Sequence, residues 1–409
     1  MLAEILGTIN AVSLGVLSTY ALRQHLFALV TLSKEHKDTY MDYEPKHTIS
    51  IIIPARNEEK VIGRALEYMS KLDYPADKVE IVVVNDASTD RTSEIAHEWS
   101  QKNPNIRVID RSVGGIGKGD VMNQGISESR NEIIFVFDAD YTPAPDTIKR
   151  LVAWFNDAKV GLVQGKIHVI NRDENSLTKM THAERSGGFG CDMYARDILR
   201  VTNQYGGTVG GFRRSLIDKV GMWEPRIFCE DTDLTCRALL AGYKVKYDIS
   251  VNCGEEAPDK LKIYYGQRYR WIRGHTVCGL KYTKKFIASK FLSLREKIEG
   301  VLWLNLNCIP VFVMASLAAW LLHIFVQHAS FMLAAPMSYI YLIFTLMGLV
   351  STTMAGLQKA HQLRYLKYVV LMIINSYPMC FAVSLKAYID IITNRPLKWT
   401  KTERNGIMT

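Results

Sequence analysis

The sequence predicts an α/β protein: a mostly parallel central sheet with helices on both faces, flanked by membrane-crossing segments. Three observations predict it. Short β-branched runs alternate with segments of helical periodicity over residues 49–137. Two of those runs stop at acidic clusters, Asn85-Asp86-Ala87-Ser88-Thr89-Asp90 and Asp138-Ala139-Asp140. Long apolar stretches occupy 5–22, 301–326, 331–356 and 368–392, each sufficient for a bilayer, which takes about 20 residues.

Taken in order, residues 1–30 form an N-terminal anchor. No lysine or arginine precedes the apolar stretch, whereas Arg23, Lys34 and Lys37 follow it. The charge bias therefore puts the following domain in the cytoplasm, and the missing basic n-region argues for a retained helix over a cleaved signal. Residues 46–280 form the main domain, with strands expected at 49–54, 81–84, 106–109 and 133–137 and helices at 58–69, 93–99 and 118–127. About three β-α units in so short a span favour parallel strands with right-handed crossovers, which bring the strand ends to one edge. Glycines 206, 207, 210 and 211 mark a later loop where backbone can approach a ligand. Residues 281–299 read as an amphipathic interface helix, with Phe286, Ile287, Phe291 and Leu292 opposite several lysines.

Residues 300–393 then supply three spans, and 394–409 a basic tail. Lys359, Arg364 and Lys367 fall inside, as the charge bias prefers. Two arrangements remain open for the last stretch. A straight span carries Arg395, Lys398, Lys401 and Arg404 outside, against the bias; a hairpin broken at Pro378 returns them. A multi-pass protein of the plasma or inner membrane follows, and the net charge of +9 suits an anionic lipid surface. No basic-aromatic module points to nucleic acid. The seven cysteines lack CxxC or zinc-ligand spacing, so reduced thiols are expected.

Carboxylates at the ends of buried strands stand where open α/β sheets bind ligands, and they suit a hard divalent cation beside phosphate. Further on come Glu230-Asp231 and Gln267-Arg268-Tyr269-Arg270-Trp271. In this order, with apolar stretches before and after, the series resembles the inverting family 2 glycosyltransferases of the GT-A fold. The branch it resembles is the membrane-embedded one of cellulose, chitin, hyaluronan and poly-N-acetylglucosamine synthases. By motif the resemblance covers residues 46–280.

What the resemblance implies is specific. Pro54, Ala55 and Glu58 frame the nucleoside base, and Asp86 contacts the uracil or ribose, although an Asx turn with Ser88 would also use it. Lys118 approaches the donor phosphates, unless it is a solvated loop lysine. Asp138 and Asp140 hold Mg2+ or Mn2+, chiefly through Asp140; Asp138 also suits a turn before Thr142 and Pro143. Asp231 is the base that takes the acceptor proton, and Cys229 replaces the family's hydroxyl residue before the pair. Asp231 and Asp233 would equally well begin a helix. Glu230 positions the acceptor or holds that helix. Gln267, Arg268 and Arg270 bind the diphosphate, arginine through its two-pronged fork, and Trp271 lies beneath the acceptor sugar. A Trp-anchored interface helix is the plainer reading of that motif. Gly210 and Gly211 form an acceptor-side loop, and Gln164 a further contact.

The expectation is a transfer of sugar from a UDP-sugar, UDP-N-acetylglucosamine or UDP-glucose, to a growing β-linked polysaccharide at the membrane. Three C-terminal spans enclose less channel wall than the larger synthases, which leaves room for a homo-oligomer or an accessory subunit. A non-processive transferase acting on a membrane lipid or lipid carrier is the alternative. From another class comes a non-catalytic nucleotide-binding scaffold, which would not need Asp138, Asp140, Asp231 and Arg270 together.

Overall fold

In the computed structural model, residues 2–34, 44–224, 229–327, 331–396 and 406 are described. Eight strands build one sheet: β1 (Ile49–Ala55), β2 (Val79–Asn85), β3 (Ile106–Asp110), β4 (Ile133–Val136), β5 (Thr142–Pro143), β6 (Val160–Val169), β7 (Gly210–Arg213) and β8 (Lys244–Glu255). Their order is β3-β2-β1-β4-β7-β6-β8-β5. The first four are mutually parallel, as β6 is to β8. The expectation of a mostly parallel sheet needs correction, because β7 runs antiparallel to both β4 and β6, and β5 to β8. The sheet is mixed.

That correction extends to the glycines. Gly210 and Gly211 lie in β7, not in a loop, and a Cβ on Gly211 would come 2.6 Å from the Phe135 ring and 2.8 Å from the Ile134 carbonyl. They are glycine because the sheet leaves no room for a side chain there.

Both faces are buried, which is why the central strands read as unbroken apolar runs. Ile51, Ile53, Ile81 and Val83 meet Ile62, Leu66 and Met69 of helix α2 (Ile62–Ser70), Ala96 of α3 (Thr92–Lys102), and Ile148 and Leu151 of α5 (Thr147–Ala153). Ile52, Val82, Val84 and Val136 point the other way. They meet Val121 and Met122 of α4 (Lys118–Glu128), Leu216 of α8 (Arg214–Val220), and Leu234 and Leu239 of α9 (Glu230–Leu240). Helix α2 starts later than residue 58. Asn57 adopts a φ of +54, and the Glu58 and Glu59 N–H groups donate to Thr92 Oγ1 and Asp90 Oδ2, which holds a turn there.

The remaining helices are α1 (Leu2–Ser33), α6 (Ser176–Gly187), α7 (Met193–Leu199), α10 (Leu261–Ala288), α11 (Leu294–Leu304), α12 (Ile309–Gln327), α13 (Phe331–Lys359), α14 (Val369–Leu371) and α15 (Tyr377–Ile392). The single interface helix expected at 281–299 is divided between α10 and α11. Ser293 forms a capping box with Glu296, accepting from its N–H while Glu296 accepts from the Ser293 N–H at 2.9 Å, so a new helix begins there. Helix α1 packs along α12 and α13.

Among the described residues one helix, Glu4–Ser33, is long and apolar enough to cross a bilayer. The expected second and fourth spans are each bent pairs, Leu294–Leu304 with Leu306–Leu322 at 46° and Leu363–Asn375 with Pro378–Ile392 at 44°. The latter bend falls at the anticipated Pro378. Helix α15 lies along α10, where the Tyr269 hydroxyl donates to Asp390. Of the tail, Gly406 rests on the main domain, its N–H donating to Glu256 at 3.0 and 3.2 Å. The other basic tail positions 398, 401 and 404 lie outside the described residues.

Candidate active site

The ends of β1, β2 and β4 open into one cavity of about 560 Å3, at the edge where open α/β sheets take ligands. Pro54, Ala55, Glu58 and Asp86 line it, as expected. Asp86 is only 5% exposed. It accepts from Arg111 Nη1 (2.6 Å), Arg56 Nη1 (3.2 Å) and the Gly115 N–H (2.9 Å). The Asx turn is made instead by Asn85, which accepts from the Ser88 N–H at 3.2 Å, so Asp86 faces the cavity.

A second group of charged residues follows β4. Lys118 Nζ pairs with Asp138 Oδ1 at 2.5 Å and donates to the Gly207 carbonyl at 3.1 Å. Burial opposes its charge, but Asp138, Glu230 and Asp231 outweigh it and hold Lys118 above its ordinary value. Asp140, 4% exposed, accepts from the Glu256 N–H at 3.2 Å. Next to it the Tyr141 hydroxyl donates to Glu255 Oε2 (2.9 Å), and Glu255 pairs with Arg185 Nε (2.5 Å). Among the described residues no three His, Cys, Asp or Glu side chains gather round one point. Asp138 and Asp140 nevertheless both line the cavity. Such a donor pair fits a hard cation that keeps phosphate oxygens and water as its other ligands.

Glu230 and Asp231 open helix α9 and line the cavity. The loop 206–208 crosses beside them: Gly207 takes a φ of +76, and a Cβ on it would stand 3.1 Å from the Asp231 Cβ. Asp231 Oδ1 accepts from the Thr232 N–H at 2.7 Å, and the Cys229 thiol donates to it at 3.3 Å. Burial first, then the neighbouring Asp231, pushes Glu230 up to about 7, against a smaller pull from Lys118.

Helix α10 delivers the last motif. Gln267, Arg270 and Trp271 line the cavity, since positions three and four apart share a helix face. Arg268 does not. It pairs with Glu184 Oε2 at 2.5 Å and lies over the rings of Tyr264 and Trp271, each at 4.6 Å, so the diphosphate role expected for it is corrected to one of packing α10 on α6. Arg185 also lies over Trp271, at 4.8 Å. Gln267 is 5% exposed, and its Oε1 accepts no hydrogen bond among the described residues.

Two further expectations change. Gly210 and Gly211 are strand residues away from the cavity wall, which residues 206–208 form instead. Gln164 is buried; its amide donates to the Gly165 and Thr208 carbonyls (2.9 and 3.0 Å) and accepts from the Gly206 N–H (2.7 Å), so it shapes that loop from beneath. The sequence reading missed Arg56, Arg111, Arg185, Glu255 and Arg196. Glu255-Glu256 ends the longest strand, the same signal that marked Asp138; the arginines carry no local signal.

The model of the family described as "Glycosyl transferase family 2" matches residues 50–221. A probable glycosyltransferase of Bacillus subtilis, YdaM, is 32% identical over 368 residues, which is 87% of this chain and 86% of that protein. The chain belongs to glycosyltransferase family 2. Another relative in the family is the beta-monoglucosyldiacylglycerol synthase of Synechocystis, 28% identical over 75% of this chain and 63% of that protein. The poly-beta-1,6-N-acetyl-D-glucosamine synthase of Staphylococcus epidermidis is 27% identical over 64% of each. In fold, the chain matches the mannosyltransferase PcManGT from Pyrobaculum calidifontis, solved in complex with GDP-Man and Mn2+, with a TM-score of 0.61 and 22% identity over 92% of this chain and 99% of that one. This glycosyltransferase family 2 member therefore has an α/β GT-A fold with a mixed sheet, and it is a hexosyltransferase using a nucleotide sugar.

Proposed function

We propose that this enzyme transfers a hexose, with inversion, from a nucleoside diphosphate sugar to a hydroxyl of an acceptor held at a membrane. One observation carries the reading: Asp86, Lys118, Asp138, Asp231, Arg270 and Trp271 all line a single cavity among the described residues. Asp231 takes the acceptor proton as its oxygen bonds to the anomeric carbon. The bond from that carbon to the diphosphate oxygen breaks, and the nucleoside diphosphate leaves with the electron pair. Lys118 and Arg270 stabilise the charge gathering on the leaving group. Mg2+ or Mn2+, held by Asp138 and Asp140, would neutralise more of it when bound. The UDP-sugar expected from the resemblance is kept as the donor.

The acceptor is read as a lipid-borne hydroxyl. The cavity is also lined by Ile272 of α10 and by Trp303, Leu306 and Asn307, at the bend between α11 and the apolar α12. The relation to a glycolipid synthase supports this, as does an exposed apolar and basic surface comprising Ile287, Phe291, Leu294 and Ile298 beside Lys284, Lys290 and Lys297. The polysaccharide reading is favoured by Gln267, Arg270 and Trp271 lining the cavity and by the relation to a poly-N-acetylglucosamine synthase. Purified protein in lipid, given labelled UDP-sugars with Mg2+ or Mn2+, separates the two by product size. A small lipid-extractable product is expected; material of high molecular weight would establish the polymer. Asp231→Asn should lower turnover about 10²- to 10⁴-fold with donor affinity kept, and full activity would remove it as the base.

A further inference from the structure

The two oxygens of Asp231 are not equivalent. Oδ1 accepts from the Thr232 N–H at 2.7 Å and from the Cys229 thiol at 3.3 Å. Oδ2 accepts no hydrogen bond among the described residues, and it is not sealed from solvent. It faces Gly207, where a Cβ would stand 3.6 Å from it, and Gly207 lies on the cavity wall. One oxygen is therefore tied to the protein and the other is left for a ligand.

Cys229 is the N-cap of α9, a position where Ser, Thr, Asp or Asn ordinarily accepts from an N–H of the first turn. Its side chain makes no such bond. A thiol is a weak acceptor and a donor with one hydrogen, and this one has two oxygens in reach, Asp231 Oδ1 and, at 3.1 Å, Thr232 Oγ1. The carboxylate takes the hydrogen because a charged acceptor makes the stronger bond, and the Thr232 hydroxyl is left to turn its own hydrogen to the sulfur. Cys229 is itself fixed. It is 8% exposed, and its carbonyl accepts from the Asp233 N–H at 3.1 Å and from the Cys278 thiol of α10 at 3.9 Å. Burial first, then the charge of Asp231, hold the Cys229 thiol well above its ordinary value, so it keeps its hydrogen. The Asp231 carbonyl accepts from Thr235 Oγ1 at 2.8 Å. With that backbone anchored, the freedom that remains is rotation of the carboxylate, and the Thr232 N–H and the Cys229 thiol restrain it together.

We propose that Cys229 is a positioning residue for the transfer, its thiol turning Asp231 so that Oδ1 faces the protein and Oδ2 alone takes the acceptor proton. The inference rests on Asp231 being the base of the proposed function. The proton passes from the acceptor hydroxyl to Oδ2 as the acceptor oxygen bonds to the anomeric carbon, and Cys229 keeps its own hydrogen throughout. A base free to swing presents the wrong oxygen part of the time, and the loss falls on the chemical step and not on donor binding.

The test has two readouts on the full chain in vesicles of phosphatidylcholine and diacylglycerol. The first needs no turnover. The infrared S–H stretching band of Cys229, assigned by its loss in Cys229→Ala, should move to higher frequency in Asp231→Asn, whose amide is the weaker acceptor. Should Cys229→Ala not fold, Cys229→Ser carries the assignment, since it too removes the band. The second readout is kinetic, with UDP-glucose or UDP-N-acetylglucosamine and Mn2+. Cys229→Ala should lower kcat about tenfold while the donor KM stays within about twofold, and Cys229→Ser, which restores a donor, should recover most of the loss. A band that stays in place in Asp231→Asn overturns the role, as does a folded Cys229→Ala with the wild-type kcat. A raised donor KM with kcat unchanged overturns it too, because that marks a loosened cavity. A wild type silent with both donors fails the transfer reading, whereas an active wild type whose band ignores Asp231→Asn fails this role alone.

Discussion

Glu230 carries a cost that varies with pH. Folded, it keeps its proton up to about 7, whereas an unfolded glutamate releases it near about 4.3. Between those values the native chain binds more protons than the unfolded one, so stability declines as pH rises through that window. Glu230→Gln removes the dependence. Its unfolding free energy should gain about 2 kcal/mol on wild type between about pH 5 and about pH 8, a figure reduced for partial exposure; denaturant titration at both pH values checks it, and parallel curves would contradict it. Gly211 makes a steric prediction. Gly211→Ala drives a methyl into the Phe135 ring and the Ile134 carbonyl, so stability should drop about 1–3 kcal/mol with donor affinity unchanged in molecules that stay folded.

Among elements, α10 shows what a sequence does and does not disclose. Its motif was legible because Gln267, Arg270 and Trp271 match the pattern of the resembled family. Nothing local distinguished Arg270 from Arg268, which differ by half a turn; only the arrival of Glu184 from α6 separates cavity from packing. Arg268→Ala should therefore lower the melting temperature while nucleotide affinity holds, and Arg270→Ala should weaken transfer and nucleotide affinity. Fluorescence melting beside nucleotide titration would expose an exchange of these two roles. The strand ends Asp86, Asp138 and Asp140 were plain because an apolar run stops at a carboxylate. Strand β7 was hidden, since two glycines suit a loop as well as a crowded strand, and the capping residues Ser293 and Glu296, which split the interface helix, were a local signal left unused.

At the scale of the molecule, the transferase domain and the apolar helices share one charged joint. Arg23 of α1 grips Asp192 on the cavity wall and Glu299 on α11. This long-range cluster was invisible to a reading by segments, because its members come from three separated stretches of the chain. The same scale includes the chain's far end. The Gly406 N–H bonds to Glu256, whose own N–H meets Asp140. A cysteine placed at 406 and one placed on exposed α3 should thus react alike with a membrane-impermeant thiol reagent in sealed vesicles of either orientation.

That contact is also a rule of parity. If both ends of the segment 300–396 stay with the transferase domain, the segment crosses a bilayer an even number of times or not at all, and at least one of its apolar pieces must dip or lie flat. The pair bent at Pro378 is the natural odd one out.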